Sequence, residues 1–407
     1  MAVEIRTIKH DEAVAFRCAV RQGFYVAETS DDGEWAAAIL DDVDRAYAAF
    51  DGDAIMATLR SFRTDVTVPG GATVPAGALT AVTCRSTHRR QGLLTRMISA
   101  DLAASKEFGE PFDILIASEY PIYGRFGYGP ATVHAKWELD TTRTLFREAG
   151  EGTIEYVDNE TFRKEAPAVF ERVRLSRPGM ITRNELRWDV LSDVRRAPEE
   201  KPWAGFRVLC RDTDGVVQGW ASYKTDDHWT DRQPKMTANV PDLCAATPAA
   251  EARLWQFLAD LDLVVTVAAE DRPGDELLPF LLTNARAARQ AESGDFVWAR
   301  ILDVPAALEA RSYETPGRAV LEVTDELGLA GGRFVLDASA DGATCSPTDE
   351  TAELTLPVRT LGAAYLGGTR LATLARAGWL DEHADGAVAR ADALLAGAIT
   401  PWCNTWF

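Results

Sequence analysis

Residues 77–98 read GALTAVTCRSTHRRQGLLTRMI. The apolar run Gly77–Cys84 has the composition of a strand. It enters a basic turn, Arg85-Ser86-Thr87-His88-Arg89-Arg90, followed by Gly92 and a helix. The helix places Leu93, Leu94, Met97, Ile98 and Leu102 on one face. Two arginines and a glycine at a helix start have the makings of an anion site. First-turn N–H groups lack intrahelical partners and carry the positive dipole end, and glycine lets a phosphate approach the backbone. Arginine adds charge-assisted bonds. The same spacing also describes a strand–turn–helix with a solvated basic turn, and these residues alone leave both readings open.

Residues 112–130, FDILIASEYPIYGRFGYGP, decide between them. A second apolar strand ends near Ala117, and Ser118-Glu119, a short turn and Tyr123-Gly124-Arg125-Phe126-Gly127-Tyr128 follow. Together the two stretches resemble the acetyl-coenzyme A fold of the GNAT N-acetyltransferases. The pyrophosphate turn of that superfamily, Arg/Gln-x-x-Gly-x-Gly/Ala, is matched by Arg89-Arg90-Gln91-Gly92-Leu93-Leu94, with Leu94 where Gly or Ala is usual. The longer words THRRQGLL and ASEYPIYGRFGYGPAT resemble a narrower group, the enhanced intracellular survival (Eis) family of multi-acetylating aminoglycoside acetyltransferases. Later segments extend the likeness over nearly the whole chain.

The resemblance implies an α/β (α+β) protein: two GNAT-like mixed-sheet domains in tandem, then a sterol-carrier-protein-like domain. The expected division is 1–149 for the catalytic, acetyl-CoA-binding unit, 150–290 for a degenerate GNAT-like unit, and 291–407 for the carrier-like unit. The chain's 407 residues allow two to four domains. A net charge of −19 argues against nucleic acid or an anionic membrane as the main partner. It suits a cationic substrate, and equally a merely soluble protein. The N-terminal residues lack a signal-peptide core, and no apolar run approaches a membrane span. Six scattered cysteines form no C-x-x-C pair, so neither a disulfide framework nor a metal site is expected, and a reducing cytoplasm is.

In chain order, a strand at Glu4–Ile8 and an amphipathic stretch at Ala13–Gly23 precede the loop TSDDGEW (29–35) and a helix expected over Ala36–Ala46. Asp31, Asp32, Glu34, Asp41, Asp42 and Asp44 make this region acidic. In the resembled fold it frames the acceptor side, so Glu34 and its neighbour Trp35 become candidates for amine binding; a solvated helix face is the plainer reading. Residues 131–140 read as the strand closing the first sheet. Beyond it, strands at Thr153–Val157, Phe206–Cys210, Val216–Tyr223 and Leu263–Ala269, with helices at Thr161–Arg177 and Pro248–Leu261, repeat the α/β rhythm without a phosphate turn. DFVWARILDVPAALEARSY (295–313) resembles the family's linker into the last domain, where strands are expected at Gly317–Val323 and Arg333–Leu336. There LGAAYLGG and LATLARAG would line a groove or simply form a core.

Acetyl transfer needs a held cofactor, a polarised thioester, a base for the ammonium and an acid for the thiolate. The resemblance assigns cofactor binding to Val82, Thr83, Cys84, Arg89, Arg90, Gln91, Gly92, Leu93, Leu94, Thr95, Ser118 and Glu119. It makes Tyr123 the general acid, a role that a phenol of pKa near 10 can fill. It makes the α-carboxylate of Phe407 the base. The tail PWCNTWF (401–407) accords with this, since three aromatics would anchor a chain end that usually frays. His88, in the phosphate turn, is a competing base, and Cys84 a competing nucleophile. Trp406 stands where aminoglycoside-acetylating relatives are often acidic, and Ala81 where an aromatic is found. The acceptor pocket should therefore be less negative, with a different floor. The expected acceptors are primary amines of aminoglycosides or polyamines, or lysine side chains, handled by a homohexamer. Rival readings are a carrier of hydrophobic ligands and an inactive assembly protein on the same fold.

Overall fold

The computed structural model describes residues 3–26, 33–40, 42–339 and 341–407. In the first unit, β1 (Glu4–Thr7), β2 (Ala46–Asp51), β3 (Ala54–Thr67), β4 (Thr73–Cys84) and β5 (Phe112–Ile116) lie side by side in that order. Only β4 and β5 run parallel, and α3 (Leu93–Glu107) makes the crossover between them. α1 (Ala13–Gly23) and α2 (Gly33–Ile39) cover the β1–β4 side. The helix expected over 36–46 stops at Ile39; Ala46 already opens β2, whose Ala46, Ala48 and Ala49 are buried. Alternation on β5 sends Phe112 and Ile114 to one face and Asp113 and Leu115 to the other.

The sixth place in this sheet belongs to residues 297–301, the stretch expected to be a linker. It pairs antiparallel with β5 and with β6 (Gly129–Pro130). Conversely β7 (Val133–Asp140), expected to close the first sheet, sits in the second, between Val264–Arg272 and Ala288–Asp295. Read from opposite ends, the two seven-stranded sheets have the same order with their sixth strands exchanged. Alternating patterns fix which face of a strand is buried but not which sheet receives it. That is why the exchange did not appear in the sequence.

The second unit reproduces the strand–helix–parallel strand of the first as Met236–Ala245, Pro248–Ala259 and Val264–Arg272. The strand at 236–245 was not anticipated. Thr247 caps the helix with only Ala246 between it and the strand, so there is no phosphate turn. Beyond the last pair, Val240–Ala269, the wedge between the strands is filled by Arg272. Its guanidinium donates to the Leu243 carbonyl, Glu251 and Glu276, and faces Trp255 and Trp402.

The third unit is a five-stranded sheet built on Gly317–Thr324, Gly332–Ser339, Gly342–Pro347 and Leu354–Pro357 with a short edge strand. The side chains of LGAAYLGG do not stand free: Leu361, Ala363, Ala364, Tyr365 and Leu366 are buried in one core with Phe112, Ile114, Val297 and Ala299 of the first sheet. This unit is welded to the face of the first sheet opposite α3. Arg300, fully buried, pairs with Asp325 across the junction. No described helix is long and apolar enough to cross a membrane, all six cysteines are free, and the described residues contain no group of three metal-ligating side chains.

Candidate active site

β4 and β5 stay paired only as far as Leu79–Leu115. Just beyond, Ala81 adopts φ +52°, a left-handed conformation unusual without glycine. The register of β4 on β3 slips at the same point, between Thr58 and Arg60. Thr58 secures the kink, its hydroxyl donating to the Ala81 carbonyl at 2.8 Å and lying 2.7 Å from the Thr83 hydroxyl. The end of β4 therefore swings away from β5 and opens a cavity of about 650 Å3.

Val82, Thr83 and Cys84 form one wall of this cavity, Ser118, Glu119 and Tyr123 another, and Arg89, Arg90, Gly92, Leu93, Leu94 and Thr95 its mouth. Gly92 (φ +73°) is the N-cap of α3, and a Cβ built on it would meet nothing within 4 Å. An anion can thus reach the first-turn N–H groups of a fifteen-residue helix unobstructed. The strand edge and the basic mouth fit an acyl-coenzyme A. Gln91 is exposed and does not line the cavity, unlike the other expected contacts. The sequence reading missed Gly23, Phe24, Tyr25, Ile122 and Arg125, which complete the lining. Gly23 was findable only in three dimensions: a Cβ there would meet the Thr83 side chain at 2.3 Å.

Tyr123 ends α4 (Tyr120–Tyr123) and is 4% exposed. Its ring packs edge-on against Tyr128, whose hydroxyl donates to buried Asp113 at 2.5 Å. Burial raises the Tyr123 phenol above its ordinary 10; Ser118 opposes the rise and Glu119 adds to it. His88 lies on the same cavity, its Nδ1 2.8 Å from the Thr87 hydroxyl and its Nε2 3.6 Å from Asp51. Burial pushes the Cys84 thiol upward, against a weaker pull from Arg89, which keeps it protonated at neutral pH.

A second cavity, of about 330 Å3, borders the preceding residue of β4, Thr80. Trp35, buried, and the last three residues, Thr405, Trp406 and Phe407, line it. Ala81 therefore sits between the two cavities but lines neither, and exposed Glu34 is not on the wall. Asp31, Asp32 and Asp41 lie outside the described residues. The tail is held along its length. Trp402 Nε1 donates to the Asp271 carbonyl and Trp406 Nε1 to its carboxylate, both at 2.7 Å. Arg183 donates to Thr405 Oγ1 and to the Asn404 carbonyl. Phe407 packs edge-on against Phe62, and Trp406 against Phe296. Tyr123 and Phe407 thus line two cavities that border the same kinked strand, one at Val82–Cys84 and the other at Thr80.

Comparison with known proteins gives three family-model matches: an acetyltransferase (GNAT) domain over residues 4–131, a second over 179–301, and a sterol carrier protein domain over 304–404. An uncharacterized N-acetyltransferase of Streptomyces griseus is 43% identical over 100% of both chains. The N-acetyltransferase Eis of Mycobacterium tuberculosis is 36% identical over 82% of this chain and 81% of its own. The crystal structure of Eis1 from Mycobacterium abscessus superposes with a TM-score of 0.87 over 100% of both chains, at 30% identity.

Proposed function

Since the chain belongs to the Eis family of GNAT N-acetyltransferases, we propose that it moves the acetyl group of acetyl-coenzyme A directly to a primary amine in a ternary complex. The observation that carries this reading is the split of β4 from β5 after Leu79–Leu115, with Gly92 at one end of the opening and Tyr123 at the other. Arg89, Arg90 and the N–H groups that start α3 hold the phosphates. The free backbone edge of Val82–Cys84 aligns the amide-rich arm and offers an N–H to the developing oxyanion.

The amine enters from the cavity beside Trp35 and the tail. It reaches the enzyme as an ammonium, and the Phe407 carboxylate takes its proton, directly or through water. The N–C bond forms and the C–S bond breaks; Tyr123 gives its proton to the departing sulphur, and the second proton of the acylated nitrogen returns to the Tyr123 oxygen, directly or through water. Burial favours this division: a phenol raised above 10 stays loaded with its proton throughout the neutral range. Residues 1–149 carry this chemistry in our reading. Residues 150–290 frame the acceptor side without a cofactor site, and 291–407 brace the first sheet and deliver the tail.

A thiol-release assay over an amine panel tests the proposal. Tyr123→Ala should lower kcat by about a hundredfold or more while acetyl-coenzyme A still raises Tm. The wild type should show no alkaline loss of rate from this phenol across the neutral range. A chain extended past Phe407 should bind cofactor and turn over poorly; unimpaired turnover would remove the carboxylate from the mechanism.

A further inference from the structure

Among the described residues, the side-chain charge on the acceptor cavity has the opposite sign to the one expected for a polyamine site, and the α-carboxylate of Phe407 is the anionic group set against it. Its charged side chains among the described residues are Arg60, Arg63, Arg183 and Arg187, and no described Asp or Glu lines it. The remaining wall is largely apolar, with Trp35, Ile39, Phe62, Leu186 and Trp406. Trp406 is turned to the Asp271 carboxylate and packed edge-on against Phe296, so the position that could have supplied an acid supplies an aromatic.

Among the described residues, two of these arginines lack the countercharge that buried guanidinium groups ordinarily have. Arg183 stacks over Phe170 and bonds only neutral acceptors of the tail; its Nη1 is buried without a partner. Arg187 Nε is likewise buried and unpartnered. Burial, with the neighbouring charge of Arg183, pulls the Arg187 guanidinium down to about 10. Asp242, the acid closest in influence on Arg183, already accepts from Trp220 Nε1 and Asn404 Nδ2. Buried charged donors left unpaired are expensive, and an anion arriving from solvent would satisfy them with strong, charge-assisted bonds. A polycation would meet like charge at the same place.

Resting on the reading that this cavity receives the amine, we infer that the acceptor is itself anionic: a primary amine on an apolar or aromatic body that bears a carboxylate or phosphate-type group, bound by Arg187 and by Arg183 Nη1. The position of Arg183 and Arg187 also fixes orientation. The anion goes to the side of the second unit, and the amine is left toward β4 and the thioester.

The full-length protein is assayed with benzylamine, 4-(aminomethyl)benzoate, 4-(aminomethyl)phenylphosphonate and kanamycin at saturating acetyl-coenzyme A. One or both anionic amines should exceed benzylamine in kcat/KM by about tenfold to a hundredfold, mainly through KM, and kanamycin should be the poorer substrate. Whichever anion leads separates carboxylate from phosphate sources. In Arg187→Met the anionic-to-neutral ratio should collapse toward one, and Arg187→Lys should recover part of it. A wild-type preference for kanamycin or benzylamine overturns this inference and leaves acetyl transfer standing. So does an unchanged ratio in Arg187→Met. No thiol release from any amine overturns both. If Arg187→Met no longer shows a melting shift with acetyl-coenzyme A, the wild-type panel and the lysine variant decide.

Discussion

Gly92 holds a backbone conformation that side chains adopt with difficulty, yet no neighbouring atom requires it to be small. Those two facts separate its roles. Gly92→Ala should be strained by about 1 kcal/mol and should put a methyl group where the phosphates approach. We expect KM for acetyl-coenzyme A to rise several-fold with little change in kcat and a small drop in Tm, read from cofactor titrations and melting curves. This residue was legible because everything it needs is local: the strand, the basic turn and the periodic helix are contiguous in 77–102. Arg183 and Arg187 were not. Within their own segment they are ordinary polar residues of a short helix start, and only the fold brings them to a tail more than two hundred residues later. Trp406 was noticed as a departure from acidic relatives. Its pinning by Asp271 had no signal in the sequence.

At the scale of elements, α3 is more than the amphipathic helix its apolar residues announce. Beside Met97, Ile98 and Leu102 it buries Asp101 and Ser105. Ser61 donates to Asp101 at 2.5 Å, Arg45 holds Glu110 through two bonds and reaches Ser61 and Ser105, and Asp113 lies behind them on β5. Burial raises Asp101 to about 6, with Ser61 and Arg45 opposing the rise. An acid whose folded pKa lies above its unfolded one binds protons more readily when folded, so stability falls as pH rises from about 4 to about 6. Asp101→Asn removes that penalty. Denaturant titrations should find the variant more stable than wild type at pH 8, by about 3 kcal/mol as an order of magnitude, with the gain vanishing below pH 4. A gain that did not vary with pH would mean the effect is packing. The apolar spacing that revealed α3 could not reveal this polar stripe, because the acid and its partners come from four separate elements.

For the molecule as a whole, the exchanged strands mean that neither of the first two sheets can be completed by a contiguous stretch of chain. Residues 1–149 produced alone would contain β7, which the first sheet does not use, and would lack 297–301, which pairs with β5. The face carrying Phe112 and Ile114 would also lose its cover from the third unit. Such a fragment should show no cooperative melting transition and should be cut rapidly by protease, whereas the full chain should melt cooperatively and resist the protease. The three-part plan and the missing second phosphate turn could be read from the sequence, since both rest on local words. The weld between the first and third units could not, because a buried apolar residue carries no mark of which neighbour buries it.

Arg272 closes in the second unit the wedge that stands open in the first. In a pair of like-ordered sheets, one wedge is an open cavity and the other is stoppered by a resident side chain that also braces Trp402. Removing the stopper would leave Glu251 and Glu276 sealed in without their cation, a loss of about 3–5 kcal/mol, and would slacken the tail at Trp402. Emptying this wedge therefore also loosens Trp402, and with it the chain end that the same indole anchors.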